Sequence, residues 1–379
     1  MPDALKHYES TKKPLVTPCD PRDLGDGTTQ IGTVPQKGFK RLPTPEVPVE
    51  EPLRACGYDF FNPNKTGAQA RASFVENAGR TKASWARTSP PSEGEFWTWA
   101  AGKDVVQLRH DLSIPGLLVG RDRDFAVCLI TITEMNCHVT TKLEEVETCD
   151  DLVAVVFSTF NTKDGASSPG YPYINFASSY KAIREDTTVY DGVTLTEMIV
   201  YDSVLTILAL IEAGPDLSAL EYLQFGAACL NTPHVKGEPN KMKKLLAPRI
   251  VIAQSANCQI ATTVLFDLVH PGIGHSLYCE GYGVTSDKLL AVRDYLIRSQ
   301  DTYFPRDLPK LLKSDVSGWE TSLSASSISW VMFAYSLVST SKYNTTSLFA
   351  LIGTLITEAA FLLDGGLVVV KNERGGQIS

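Results

Sequence analysis

Two stretches decide how this chain reads: KGEPNKMKKLLAPRIV, Lys236 to Val251, and SDVSGWE, Ser314 to Glu320. The first is a basic run that ends in Pro248-Arg249 and then turns apolar. Lys236, Lys241, Lys243, Lys244 and Arg249 face a single acid, Glu238, within 14 residues. Gly237 and Pro239 keep its start out of a helix, so it predicts a loop feeding a strand over 249–253. Several lysines with one fixed arginine suit a polyphosphate, because together they neutralise its charges. In the second stretch, Asp315 and Glu320 lie on either side of a turn through Ser317-Gly318, with a strand over 311–314 leading in. A carboxylate where a strand turns is a rigid place for a hard cation, which takes oxygen ligands. Both stretches also have a plainer reading, as a solvated charge run and as two surface acids.

At 379 residues the chain is long enough for a sizeable core or two lobes. An apolar content of 43% with 21% charged residues describes a globular chain and excludes a disordered one. The formal net charge of -8 argues against a general polyanion binder. A local basic track is enough for phosphate contacts, however, and the 236–249 run supplies one. Eight scattered cysteines without a C-x-x-C pair, and no signal-peptide pattern, read as reduced thiols of a cytosolic protein. His270, His275, Cys279 and Cys258 fit no familiar zinc spacing and read as loop and helix-end residues. The apolar stretch 347–370 is long enough to span a membrane. Glu358, Asp364 and the Asp364-Gly365-Gly366 turn interrupt it, which predicts a buried helix to about Leu362 and then a strand over 367–370.

The first 52 residues hold nine of the 22 prolines and little apolar periodicity. They read either as an extended arm laid over other structure or as a solvated lead-in. Beyond Tyr58, helical and strand-like segments alternate, as in an α/β or α+β protein. Thr194 and Glu197 form a capping box ahead of the apolar run 198–211, which Gly214-Pro215 stops. Further helices are predicted over 255–269, ended by His270-Pro271, over 287–298, and over 326–338, where Ile328, Val331, Met332 and Tyr335 recur at helical spacing. Cys149-Asp150-Asp151, preceded by Glu144, Glu145 and Glu147, reads as a surface acidic run.

Upstream of the basic run, SSPGYPY (Ser167 to Tyr173) is a stiff turn in which Tyr171 offers a ring for stacking on a base. Taken in order, S-P-G-Y-P, K-G-E-P-x-K, P-R-x-V, S-D-V-S-G-W-E and the D-G turn at Asp364-Gly365 resemble the RNA-dependent RNA polymerases of sobemovirus-like viruses, including barnavirus and polerovirus relatives. The resemblance runs from about residue 165 to the end. The segment from Gly57 to Gly79 is more loosely similar to the region ahead of the fingers in these enzymes.

The resemblance implies a right-hand polymerase: fingers plus an incomplete palm, with an antiparallel palm sheet and flanking helices. It divides the chain into a Pro-rich arm (1–55), fingers (56–300) carrying motif G (167–173) and motif F (236–251), and a partial palm (301–379). The palm portion carries motif A (314–320) and the start of motif B (374–379). It further implies that Asp315 binds Mg²⁺ or Mn²⁺ with the main-chain carbonyl of Val316, and that Glu320 recognises the ribose 2′-hydroxyl. Lys236, Lys241, Lys243, Lys244 and Arg249 would bind the nucleotide. Ser168, Gly170, Tyr171, Pro172 and Ser379 would contact template RNA. The 379 residues contain no Gly-Asp-Asp and no thumb. The expected catalyst therefore needs a second polypeptide or further sequence carrying motifs B and C and the thumb, and this chain alone is expected to be inactive. RNA template and product, NTPs and a replication complex in the host cytoplasm are the implied surroundings. A non-catalytic RNA-binding or assembly module, and an unrelated metal-dependent nucleotidyltransferase, are the competing readings.

Overall fold

The computed structural model describes residues 3–12, 15–35, 58–60, 93–134, 138–213, 221, 230–235, 239–241, 250–269, 290, 294, 325–337, 339 and 359–371. In chain order the helices are α1 (Asp3–Thr11), α2 (Glu93–Ala100), α3 (Val105–Ser113), α4 (Gly120–Glu134), α5 (Cys149–Thr162), α6 (Tyr180–Glu185), α7 (Leu195–Ala213), α8 (Ala256–Leu265) and α9 (Ala325–Leu337). The strands are β1 (Thr17–Asp23), β2 (Thr28–Thr33), β3 (Tyr58–Phe60), β4 (His138–Thr140), β5 (Val189–Tyr190), β6 (Val193–Thr194), β7 (Leu230–Val235), β8 (Pro239–Lys241), β9 (Ile250–Gln254), β10 (Asp267–Val269), β11 (Ala360–Leu363) and β12 (Leu367–Lys371). Six of them form one sheet in the order β1-β2-β12-β11-β7-β9. Only the β11–β7 pairing is parallel; the other four are antiparallel. The fold is mixed α+β.

The longest described helix starts where its sequence says it should. The Thr194 backbone N–H donates to Glu197 Oε2 at 2.8 Å, and the Glu197 N–H donates to Thr194 Oγ1 at 3.2 Å. This reciprocal cap satisfies two donors that the first turn of α7 leaves open. Ile199, Val204, Ile207 and Leu210 of α7 are fully buried against Val156 and Phe160 of α5 and Ile260 and Val264 of α8. The acidic run at Asp150-Asp151 likewise starts a helix. Thr148 and Asp151 cap α5 reciprocally, and both acids sit in its first turn, where the helix dipole favours negative charge.

Residues 3–12 and 15–35 pack onto the rest of the chain, as an arm laid over other structure does and a solvated lead-in does not. Leu5 of α1 is fully buried in the α5–α7–α8 core. Strand β2 pairs with β12 from Leu367↔Thr33 to Lys371↔Thr28 and so extends the main sheet. Pro18 and Pro21 fall in β1, the edge strand, where a missing N–H costs no ladder bond. Proline content suggests irregular chain here, and the sheet edge accommodates it.

Two predicted helices differ from the sequence expectation. Helix α8 stops at Leu265, because Phe266 is extended and Asp267–Val269 pairs antiparallel with His138–Thr140. Thr141 Oγ1 donates to the Val264 carbonyl at 3.0 Å, which satisfies one of the acceptors freed at that helix end. The helix expected up to Leu362 is already strand from Ala360, and β11 and β12 form a hairpin across Asp364–Gly366. Helix α9 matches its prediction within a residue but is gripped from two sides. Met332 and Tyr335 pack toward the α5–α7–α8 core, and Phe333 and Ala334 pack with Phe96 and Phe125 of α2 and α4. Val331 lies between these faces and is exposed. Of the helix predicted over 287–298 the described residues are Leu290 and Asp294, both helical; the strand over 311–314 and the histidines 270 and 275 lie outside the described residues. Among the described residues no helix is long and apolar enough to cross a membrane.

Candidate nucleic-acid interface

The Ser167–Tyr173 turn is held by backbone bonds at its centre. The Pro169 carbonyl accepts the Ala256 N–H at 2.8 Å, and the Gly170 carbonyl accepts the Ile174 N–H at 2.9 Å. Ser168 Oγ accepts the Gly170 N–H at 3.3 Å, and Ser167 Oγ donates to Asp164 at 3.3 Å. Gly170 has φ +68°, and a Cβ there would lie 2.4 Å from the Gln254 carbonyl oxygen and 3.0 Å from Ser255 Cα. Only glycine meets both the left-handed backbone and the close approach. The Tyr171–Pro172 peptide bond is cis.

This geometry sorts the four template-binding candidates of the turn. Ser168 and Pro172 are half-buried with one side toward solvent, whereas Gly170 and Tyr171 are buried. The Tyr171 ring packs with Val16, Ile31, Leu230 and Leu362, and burial pushes its hydroxyl pKa up. The ring expected to stack on a base is therefore turned into the core. Sequence does not separate these cases, because a tyrosine in a Pro-Gly turn anchors a loop as readily as it binds a ligand.

The basic run is framed by paired strands. Strands β7 and β9 run antiparallel from Asn231↔Gln254 to Val235↔Ile250, so the segment 236–249 closes a hairpin between them. Within it, Pro239–Lys241 pairs with Tyr58–Phe60, with Lys241 opposite Tyr58. The predicted strand over 249–253 is observed as Ile250–Gln254. Strand β9 thus begins one residue after Arg249 and ends at Gln254, the residue against which Gly170 is seated. At about 3.3 Å per residue the two features are joined by roughly 13 Å of strand. Lys236, Lys243, Lys244, Arg249, Asp315, Val316, Glu320 and Ser379 lie outside the described residues. Among the described residues no group of three or more His, Cys, Asp or Glu side chains could hold a metal.

Two polar features beside the turn are missed by sequence reading. Asp202, in the middle of the apolar α7, accepts the Tyr173 hydroxyl at 2.6 Å, the Tyr8 hydroxyl at 3.0 Å and the Lys12 ammonium at 2.6 Å. A lone carboxylate inside the apolar run 198–211 is the available signal, since a buried acid needs partners. Burial first, and Asp202 second, push the Tyr8 and Tyr173 pKa values upward, so both hydroxyls stay protonated donors. The other feature is a pair of lysines behind the turn. Lys163 caps α5 and directs its Nζ to Thr263 Oγ1 at 2.8 Å and the Gln259 carbonyl at 3.3 Å. Lys142 Nζ reaches Thr159 Oγ1 at 3.4 Å. Desolvation, then the charge of Lys142, holds the Lys163 ammonium below the usual lysine range.

No protein-family model matches the chain, and no curated protein matches it. Among solved structures it is similar to a Sicinivirus 3Dpol RNA-dependent RNA polymerase, at 12% identity and a TM-score of 0.39. The match covers 90% of this chain and 62% of that polymerase, so the chain spans less than two thirds of its length.

Proposed function

We propose that this chain forms the fingers and the first part of the palm of a viral RNA-directed RNA polymerase. The observation that supports the reading is that the Ser167–Tyr173 turn is seated on the strand that follows the basic run in the sequence. The basic run ends in sequence at Arg249, one residue before β9, and Gly170 of the Ser167–Tyr173 turn is seated on Gln254 at the end of that strand. A template strand guided past Ser168 and Pro172 would then reach a nucleotide whose triphosphate is neutralised by Lys236, Lys241, Lys243, Lys244 and Arg249. Glu320 would accept a hydrogen bond from the ribose 2′-hydroxyl, and Ser379 would begin the loop that checks the template.

The reaction is attack of a primer 3′-oxygen on the α-phosphorus of the nucleotide. A new P–O bond forms, the bond to pyrophosphate breaks, and the hydroxyl proton leaves. Asp315 and the Val316 carbonyl offer the hard oxygen donors that suit Mg²⁺ or Mn²⁺, which when bound would supply charge stabilisation to the in-line displacement. The remaining acids belong to a Gly-Asp-Asp strand absent from these 379 residues, supplied by further sequence or by a second polypeptide. Replication in the host cytoplasm fits this reading.

Primer extension by the assembled enzyme tests it. Asp315→Asn, which removes a metal-ligating charge at nearly constant volume, should abolish incorporation while leaving assembly intact. Full activity of that variant would place the catalytic metals elsewhere. RNA binding without incorporation in any assembly would identify a non-catalytic module of a replication complex.

A further inference from the structure

We propose that Lys142 and Lys163 form a phosphate site that holds the sugar–phosphate backbone of an RNA strand beside the Ser167–Tyr173 turn. The proposal rests on the RNA-binding reading of that turn and adds a contact separate from the basic run at 236–249. Thr141, which precedes Lys142, donates to the Val264 carbonyl, and Lys163 donates to Thr263, so both lysines are drawn to the contact between α5 and the end of α8. Each lysine is half-buried, and its partners are neutral oxygens: Thr159 Oγ1 for one, Thr263 Oγ1 and the Gln259 carbonyl for the other.

Asp164, which follows Lys163, is already engaged, whereas Glu144 and Glu145 follow Lys142 within three residues. Asp164 accepts the Ala166 N–H at 3.1 Å and the Ser167 hydroxyl at 3.3 Å. Lys181 on α6 pairs at 3.9 Å with Glu185, and Arg184 spends its guanidinium on the Phe160 carbonyl at 3.0 Å and the Lys163 carbonyl at 2.5 Å. Two cations are thus gathered on neutral partners, a like-charge arrangement that a bound anion relieves. Lys163 stands one residue before Asp164, which anchors the start of the turn, so a bound phosphate lies next to the path assigned to the template. A diester phosphate and the phosphates of a free nucleotide share this chemistry.

The test is fluorescence anisotropy with a 5′-labelled single-stranded RNA of about 12 nucleotides, within the span one single-strand groove covers, and, separately, labelled ATP, over a salt series. The full chain is compared with Lys142→Ala, Lys163→Met, the double variant and the Lys142→Arg/Lys163→Arg pair. The double variant should bind RNA about tenfold more weakly, and its salt slope should fall by roughly 0.7 for each phosphate no longer neutralised. The arginine pair should restore binding. Thermal unfolding separates binding from scaffolding: relief of like-charge crowding leaves the Tm of Lys163→Met unchanged or raised, and a Tm drop matching the affinity loss overturns the proposal. Loss of ATP binding with RNA binding intact also overturns it, in favour of a nucleotide site. If these variants bind RNA normally while alanines at Lys241, Lys243 and Lys244 weaken binding, the lysine pair fails and the polymerase reading stands. A wild-type chain that binds no RNA defeats both.

Discussion

The Tyr173 hydroxyl donates to the Asp202 carboxylate at 2.6 Å, joining the end of the Ser167–Tyr173 turn to the middle of α7. The same carboxylate receives Tyr8 and Lys12 from the N-terminal segment. One buried acid therefore ties α1, α7 and the turn together. The network continues, because Thr206 Oγ1 donates to the Asp202 carbonyl at 2.7 Å and Asn257 Nδ2 donates to Thr206 Oγ1 at 2.9 Å. Asn257 is also bonded to Ser255, whose backbone abuts Gly170.

Asp202→Ala should destabilise the chain by about 1–3 kcal/mol for each of the two tyrosine hydroxyls it leaves without their shared acceptor. Tyr173→Phe should cost about 1.5–3 kcal/mol in all, the range for a hydrogen bond to a charged group. The aspartate variant is therefore the less stable of the two. Urea denaturation of both variants checks the order. Equal losses would mean that Tyr8 and Lys12 contribute nothing to the network.

Gly170→Ala should be far more damaging than Gly192→Ala. Both glycines have positive φ, +68° and +93°, so each substitution carries the left-handed backbone cost, about 1–2 kcal/mol. At Gly192 the added methyl meets nothing within 4 Å, whereas at Gly170 it meets the Gln254 carbonyl at 2.4 Å. The predicted difference is a loss of RNA affinity for Gly170→Ala alone, read by anisotropy, because the turn must lift off β9. Indistinguishable variants would mean that the turn is not seated on the strand.

The α5 cap has a pH signature. Bonds from the Thr148 hydroxyl and from the Thr148 and Glu147 N–H groups hold the Asp151 carboxyl below the ordinary aspartate value of 3.8. A depressed carboxyl stabilises the fold fully above that value and loses its contribution as pH falls through the lower folded value. The stability advantage of wild type over Asp151→Ala should therefore be constant near neutrality and shrink below about pH 4. Urea midpoints at about pH 7 and about pH 3, on either side of that range, decide it; an advantage that grows on acidification contradicts the cap.

Legibility in the sequence follows locality. The cap at Thr194–Glu197, the strand beginning at Ile250 and the helix over 325–337 are readable because each is set by residues within a few positions of one another. The pairing of β2 with β12, between strands at opposite ends of the chain, leaves no local trace, and the prolines of 1–52 fit a packed arm and a solvated lead-in alike. The end of α8 escapes sequence reading for a similar reason. Val264 to Val269 is apolar enough for helix or strand, and pairing with His138–Thr140 decides between them. At the candidate site, the glycine of the turn is legible as a turn residue, but its seat on Gln254 is not. The inward-facing Tyr171, the Asp202 hub and the lysine pair are products of tertiary packing.

In the proposed enzyme, RNA crosses β9 between the 167–173 turn and the 236–249 run. Cross-linking the full chain to a single-stranded RNA that carries thiouridine, followed by mass-spectrometric mapping of the modified peptides, reports on that path. Cross-links are expected in peptides containing Ser168–Pro172 and Lys241–Lys244, both suppressed by excess unlabelled RNA and by high salt. Cross-links confined to other surfaces, or equal in both peptides with and without competitor, would rule the path out.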